Sequence, residues 1–181
     1  LTVEKPYTEA SRWGVCATYT LGWSKIRGDG FNFDFPSVVD TPETPGDADE
    51  RHRLVVAATA RLTDTVKAST LITLGTGVPF NVGDSSAGFG ADTVFRRNAG
   101  RADDFVQYKQ VDVRFTKEID VVAGHRAAAF VEVFNLLDWH NYGGFDGFIP
   151  PTTADPNPNF GKPSVLVGPV RSVQLGLTYG F

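Results

Sequence analysis

The chain has 181 residues, 41% of them hydrophobic and 12% aromatic, with a formal net charge of -4 and a mean hydropathy of -0.14. The mild acidity gives no reason to expect nucleic acid, which calls for clustered basic surface, and no run approaches the ~18 apolar residues of a spanning helix. The single cysteine, Cys16, excludes an intramolecular disulfide and a thiolate metal cage, and it reads as a small wall residue among apolar neighbours. None of this excludes a β-barrel, whose strands turn only half their residues toward lipid.

Residues 1–5 read as the tail of a strand. With no methionine anywhere in the chain, they set the expectation of a piece of a longer protein. The first full alternation is 13–23. Trp13, Val15, Ala17, Tyr19, Leu21 and Trp23 fall on one face, and Gly14, Cys16, Thr18, Thr20 and Gly22 on the other. Ten residues separate the two tryptophans. At ~3.3 Å per residue that is about 33 Å. Tilted by ~40°, it becomes about 25 Å, the height of the apolar band between aromatic girdles in outer-membrane barrels. Trp13 and Trp23 are therefore predicted girdle residues.

Further strands are predicted at 51–62 and 66–75, joined by a three-residue turn, and at 108–119 and 125–135, joined by 120–124. Val111, Val113, Phe115 and Ile119 face one way, opposite Gln110, Asp112, Arg114, Thr116 and Glu118. Segment 125–135 carries an alternative. Phe130, Phe134 and Leu137 are spaced as a helical stripe, and 127–129 are alanines, which favour helix. As a strand, it places Glu132 and Arg126 on one face, where a neighbouring Arg114 could pair with Glu132. Such charges suit a watery lumenal wall, although Phe130 and Phe134 share that face. The last strand, from about 170, alternates Val173, Leu175, Leu177, Tyr179 and Phe181 against Gln174, Gly176, Thr178 and Gly180. An apolar set ending on an aromatic carboxy terminus resembles the insertion signal of bacterial outer-membrane barrels.

The connections alternate in length. Segments 6–11, 63–65 and 120–124 are short, whereas 27–50, 76–107 and 136–169 are long and rich in Gly, Pro, Asn and Asp. Short periplasmic turns and long extracellular loops are the wiring of outer-membrane barrels. The expected fold is all-β: an antiparallel transmembrane β-barrel of which residues 1–181 supply about seven strands.

Several segments resemble the carboxy-terminal barrel of TonB-dependent receptors, closest to the Oar-like group that carries a carboxypeptidase-regulatory-like domain. They are 111–119 (VDVRFTKEI), 131–142 (VEVFNLLDWHNY), 160–164 (FGKPS) and 170–177 (VRSVQLGL), with 75–81 (GTGVPFN) at a strand's outer end and 49–53 (DERHR) at a return from a loop. The resemblance spans nearly the whole chain. It implies a barrel of about twenty-two strands closed around an amino-terminal plug. Partners then include outer-membrane lipid, the barrel-assembly machinery and the TonB complex, reached through a plug that these residues do not contain. It implies active import of a scarce nutrient, of siderophore, cobalamin, saccharide or peptide class. A passive porin-like channel and a small barrel serving as adhesin or structural anchor are the alternatives, with a soluble β-sandwich behind them.

Catalysis is not expected. His52, His125 and His140 lie on different segments, and no nucleophile elbow or phosphate loop is present. No cofactor or metal is expected. The acids Asp29, Asp34, Asp40, Glu43, Asp47, Asp49 and Glu50 match no calcium loop and read as a solvated acidic connection. Arg96, Arg97 and Arg101 read as partners of Asp103, Asp104 or solvent, with an anionic ligand as the alternative. Trp139, Tyr142, Phe145 and Phe148 read as an outer girdle or, alternatively, as a ligand-contacting surface.

Overall fold

A computed structural model describes residues 1–27, 43–85, 94–100, 105–122, 125–151 and 156–180; for 94–100, Asp120 and Val122 the description is of the backbone. The described residues are all-β, and no helix among them is long and apolar enough to cross a membrane. In chain order the strands are β1 (Thr2–Lys5), β2 (Trp13–Leu21), β3 (Lys25–Ile26), β4 (Thr44–Pro45), β5 (His52–Arg61), β6 (Val66–Gly75) and β7 (Phe80–Asp84). They continue with β8 (Val94–Gly100), β9 (Tyr108–Val122), β10 (His125–Phe134), β11 (Asn141–Phe145), β12 (Phe148–Ile149), β13 (Pro163–Val167) and β14 (Ser172–Gly180).

Seven of them form one antiparallel sheet in the order β1-β2-β5-β6-β9-β10-β14. Each long strand pairs with the next long strand, so the sheet is a meander. Local chemistry sets the tight turns. Thr63 Oγ1 accepts from the amides of Thr65 and Val66 at 3.3 and 3.1 Å, and Leu62 N donates to Val66 O at 2.8 Å, which closes the β5–β6 hairpin. In the β1–β2 turn, Arg12 sits at φ 61 and its amide donates to Thr8 O at 2.8 Å.

Segment 125–134 is a strand despite its three alanines. It pairs with β9 on one side and β14 on the other along nearly its whole length. Two ladders of hydrogen bonds outweigh a helix propensity worth tenths of a kcal/mol per residue. β2 stops at Leu21, short of Trp23. Beyond it Gly22 N still donates to Arg51 O at 3.0 Å, but Ser24 N donates to the Asp49 carboxylate at 3.0 Å. A side chain there replaces the ladder.

The described parts of the long connections hold strands that their breaker-rich composition does not predict. β3 pairs with β4, β11 with β13, and β12, β7 and β8 form a three-stranded sheet. These strands are short enough to fit between breakers, and their partners are supplied partly by other connections, which no local pattern reveals.

No hydrophobic side chain among the described residues is buried, whereas Asp49, Thr73, Ser85, Asp112, Asn135 and Asn141 are. This inverts the usual distribution. The large sheet is a single layer and an open one, with β1 at one edge and β14 at the other.

Candidate functional site

The register places side chains of like polarity in rows that run across the sheet. One row is Trp13–Ala60–Ala68–Phe115–Val131–Leu175, and the next is Val15–Ala58–Thr70–Val113–Val133–Val173. A third is Val3–Ala17–Val56–Ile72–Val111. Their one charge is Lys5, which extends the second row onto β1 beside Val15. Their one hydroxyl group, on Thr70, donates to Asp112 O at 2.8 Å and so hides its polarity in the backbone.

Among the described residues nothing covers this face along β14. Val173, Leu175, Leu177 and Tyr179 are 65%, 76%, 85% and 58% exposed. Removing such a side chain from water contributes about 1.5–3 kcal/mol. A continuous apolar face of this extent marks an interaction surface, for protein, ligand or membrane.

Amphipathic groups rim the face at both ends. Toward the long connections, Tyr19 Oη lies 2.7 Å from His52 Nδ1, the two rings stack at 6.1 Å, and Phe105 adds a ring 5.5 Å from His52. Toward the short turns, Tyr179 Oη lies 2.7 Å from His125 Nδ1 with the rings stacked at 5.7 Å. Trp13, at that same end, carries the Lys5 ammonium 3.9 Å from its ring centre. Lys117 also lies there, with its ammonium on Thr65 Oγ1. Rings with one polar edge and lysines with long stems sit well where hydrocarbon meets water.

The predicted girdle residues Trp13 and Trp23 are both exposed, at 46% and 64%. Only Trp13 is in a strand. Trp23 lies past the end of β2, with the Arg51 guanidinium 5.3 Å from its ring centre. The nine residues from Trp13 to Leu21, eight steps of ~3.3 Å, span about 26 Å along β2. At ~40° of tilt this is ~20 Å of height, somewhat under the ~25 Å band. The two Tyr–His pairs were not legible in the sequence, because each joins residues on different strands.

The opposite face is mixed. Gly14–Thr59–Ser69–Arg114–Glu132–Gln174 form one row and Arg61–Lys67–Thr116–Phe130–Gly176 another. Arg114 and Glu132 stand directly opposite each other with a guanidinium–carboxylate separation of 3.6 Å. Near the short turns Glu118 takes Lys67 at 2.7 Å and Arg61 at 3.3 Å, while Arg61 also reaches Glu9 at 3.4 Å. Arg126 belongs to the same face by alternation, opposite Asp120 and Gly180. Leu71 and Val55 share this face, so its polarity comes from discrete charged groups.

Residues that sequence reasoning missed govern the outer end. Asn135, at φ 49 and 2% exposed, donates through Nδ2 to Trp139 O at 2.9 Å and Pro169 O at 3.1 Å, and accepts from Trp139 N at 3.0 Å. Its own amide donates to Asp112 Oδ1 at 2.8 Å. Asp112 in turn accepts both contacts from Gln110 Nε2, whose amide oxygen accepts from Tyr108 Oη at 2.6 Å. Asn141 mimics a strand, exchanging hydrogen bonds with the backbone of Lys109 at 2.7 and 2.9 Å. The signal was in the 131–142 segment, where two asparagines bracket a polar-aromatic turn.

Of the possible ligand-facing residues, Trp139 is half-buried at this junction and Tyr142 is 37% exposed opposite Leu166 on the β11–β13 ribbon. Arg96 and Arg97 lie in β8, where only the backbone is described. Phe181, Asp29, Asp34, Asp40, Arg101, Asp103 and Asp104 lie outside the described residues. Glu43 pairs with Lys25 and Arg27, Asp49 with Arg51, and Glu50 with Arg53. Among the described residues no group of three or more His, Cys, Asp or Glu is placed to hold a metal.

Compared with known proteins, the chain matches no family model, no curated protein and no solved structure.

Proposed function

We propose that this chain is a section of a transmembrane β-barrel in a bacterial outer membrane, serving an active importer of the TonB-dependent class. The observation that carries the reading is the exposed apolar face, rimmed at each end by a Tyr–His pair and backed by a face bearing ion pairs. An apolar face toward acyl chains and a charged face toward a wet lumen satisfy both sides of a single-layer sheet. In this reading the edges of β1 and β14 are closed by further strands, since unpaired backbone in hydrocarbon costs several kcal/mol per group. The long connections lie outside the cell and the short turns in the periplasm. Import, with energy relayed through TonB to a plug, rests on the sequence resemblance; the fold supports the wall alone.

The test is a cysteine scan of β14 in a Cys16→Ala background, in the full chain embedded in outer-membrane lipid. A water-borne maleimide is expected to label cysteines at 174, 176 and 178 and to spare those at 173, 175 and 177. Equal labelling on both faces removes the membrane reading. Uptake that persists without TonB, or solute conductance by the barrel, transfers the function to a passive porin-like channel. Refolding of these residues alone into a heat-modifiable barrel transfers it to an adhesin or anchor.

A further inference from the structure

We propose that the described parts of the three long connections form one mechanical body, so that a contact made on any of them is carried to the others. The inference concerns the outer end of the fold and does not depend on what surrounds the sheet.

The joint between the second and third connections is a strand pair. β12, from the third, lies parallel to β7, from the second, with Phe148 beside Gly83 and Ile149 beside Asp84. Parallel strands of one chain normally face each other across a covering crossover; here two separate connections meet edge to edge. Three hydrogen bonds lock the joint. Gly83 N donates to Gly147 O at 3.0 Å, and Ser85 donates to Ile149 O through its amide at 3.0 Å and its hydroxyl at 2.7 Å. Ser85 is fully buried. Gly147 is pressed on the Asn81 carbonyl so closely that no other residue fits. The rings of Phe80 and Phe145 meet at 5.2 Å just beside the joint.

The first connection joins on the other side. β7 pairs with β8 antiparallel, and β4 from the first connection packs beside β8. The β3–β4 ribbon thus adjoins the β8-β7-β12 sheet through β4, which brings elements of all three connections together. Its bases are fixed to the large sheet. Asn135 ties both ends of the third connection together, with Arg171 on Asp138 at 3.1 Å beside it, and Asp49 ties the first. Buried hydrogen bonds at both the joint and the bases make separate opening of one connection costly. A preformed body loses less conformational freedom on meeting a partner than three independent loops would.

The experiment is amide hydrogen exchange on the full chain and on Gly147→Val, a substitution in the third connection read in the second. Exchange at residues 80–84 and 94–100 is expected to rise at least about tenfold in the variant, with β9 amides unchanged. Loosening confined to 145–149 overturns the proposal. A second arm covers the case in which Gly147→Val does not fold. G83C/F148C, in a Cys16→Ala background, places the two cysteines at neighbouring positions within disulfide reach. Spontaneous oxidation of the pair in the folded chain supports the joint, and persistence of two free thiols under oxidant overturns it.

Discussion

Phe130 and Gly176 stand directly opposite each other on β10 and β14, and the Phe130 ring occupies the space that a Gly176 side chain would need. The Arg114 guanidinium lies 3.7 Å from the centre of that ring, and the Glu132 carboxylate lies 3.6 Å from the same guanidinium. One stack thus crosses β9, β10 and β14. It explains an aromatic residue on the mixed face: the ring shields an edge-strand glycine and gives Arg114 an apolar platform.

Replacing that glycine tests the stack. A strand glycine ordinarily costs about 0.5–1 kcal/mol relative to alanine, so Gly176→Ala should stabilise if the site were open. With the Phe130 ring in place, Gly176→Val is expected to destabilise by about 1–3 kcal/mol through overpacking. Thermal unfolding in detergent reads the sign, and Phe130→Ala added to Gly176→Val should recover most of the loss. A stabilised single variant sinks the account.

Asn135 allows two effects to be separated. Asn135→Ala removes three side-chain hydrogen bonds and keeps the left-handed backbone strain, for an expected loss of about 2–4 kcal/mol. Asn135→Gly loses the same bonds but relieves the φ of 49, and should be the milder by up to ~1 kcal/mol. Urea midpoints compare them. Equal losses would place all the cost in the hydrogen bonds.

The two faces of β14 should answer oppositely to charge. Leu175→Arg is expected to weaken insertion into lipid by about 2–4 kcal/mol, the cost of arginine near the bilayer midplane. Gln174→Arg, one residue away beside Glu132, should cost less than about 1 kcal/mol. Folding yield into lipid vesicles ranks them, and a reversed or level ranking contradicts a lipid-facing Leu175.

Arg114 and Glu132 are 40% and 21% exposed, and their separation is long for an ion pair. A double-mutant cycle with Arg114→Ala and Glu132→Gln should therefore return a coupling of only about 0–1 kcal/mol, falling as salt rises. Arg114→Lys should lose the contact with Phe130 as well, because a compact ammonium does not lie flat on a ring as a guanidinium does.

Alternation determined much of this fold without help. Val173, Leu175, Leu177 and Tyr179 announce their strand, and tight turns such as 63–65 force each strand against the next. A two-residue period and short links leave few ways to order seven strands. The pairing of Arg114 with Glu132 was legible too, since both sit on recognisable strands joined by a short link. The tertiary structure alone decided where breaker-rich connections would form strands, because β7 and β12 each find a partner in a different connection. It also decided the roles of Asn135, Asp49 and Ser85. A polar side chain is assigned by the orphaned backbone groups it meets, and those come from residues distant in the chain. The Tyr19–His52 and Tyr179–His125 pairs follow the same rule: periodicity assigns a side chain to a face, and only the register between strands chooses its neighbour.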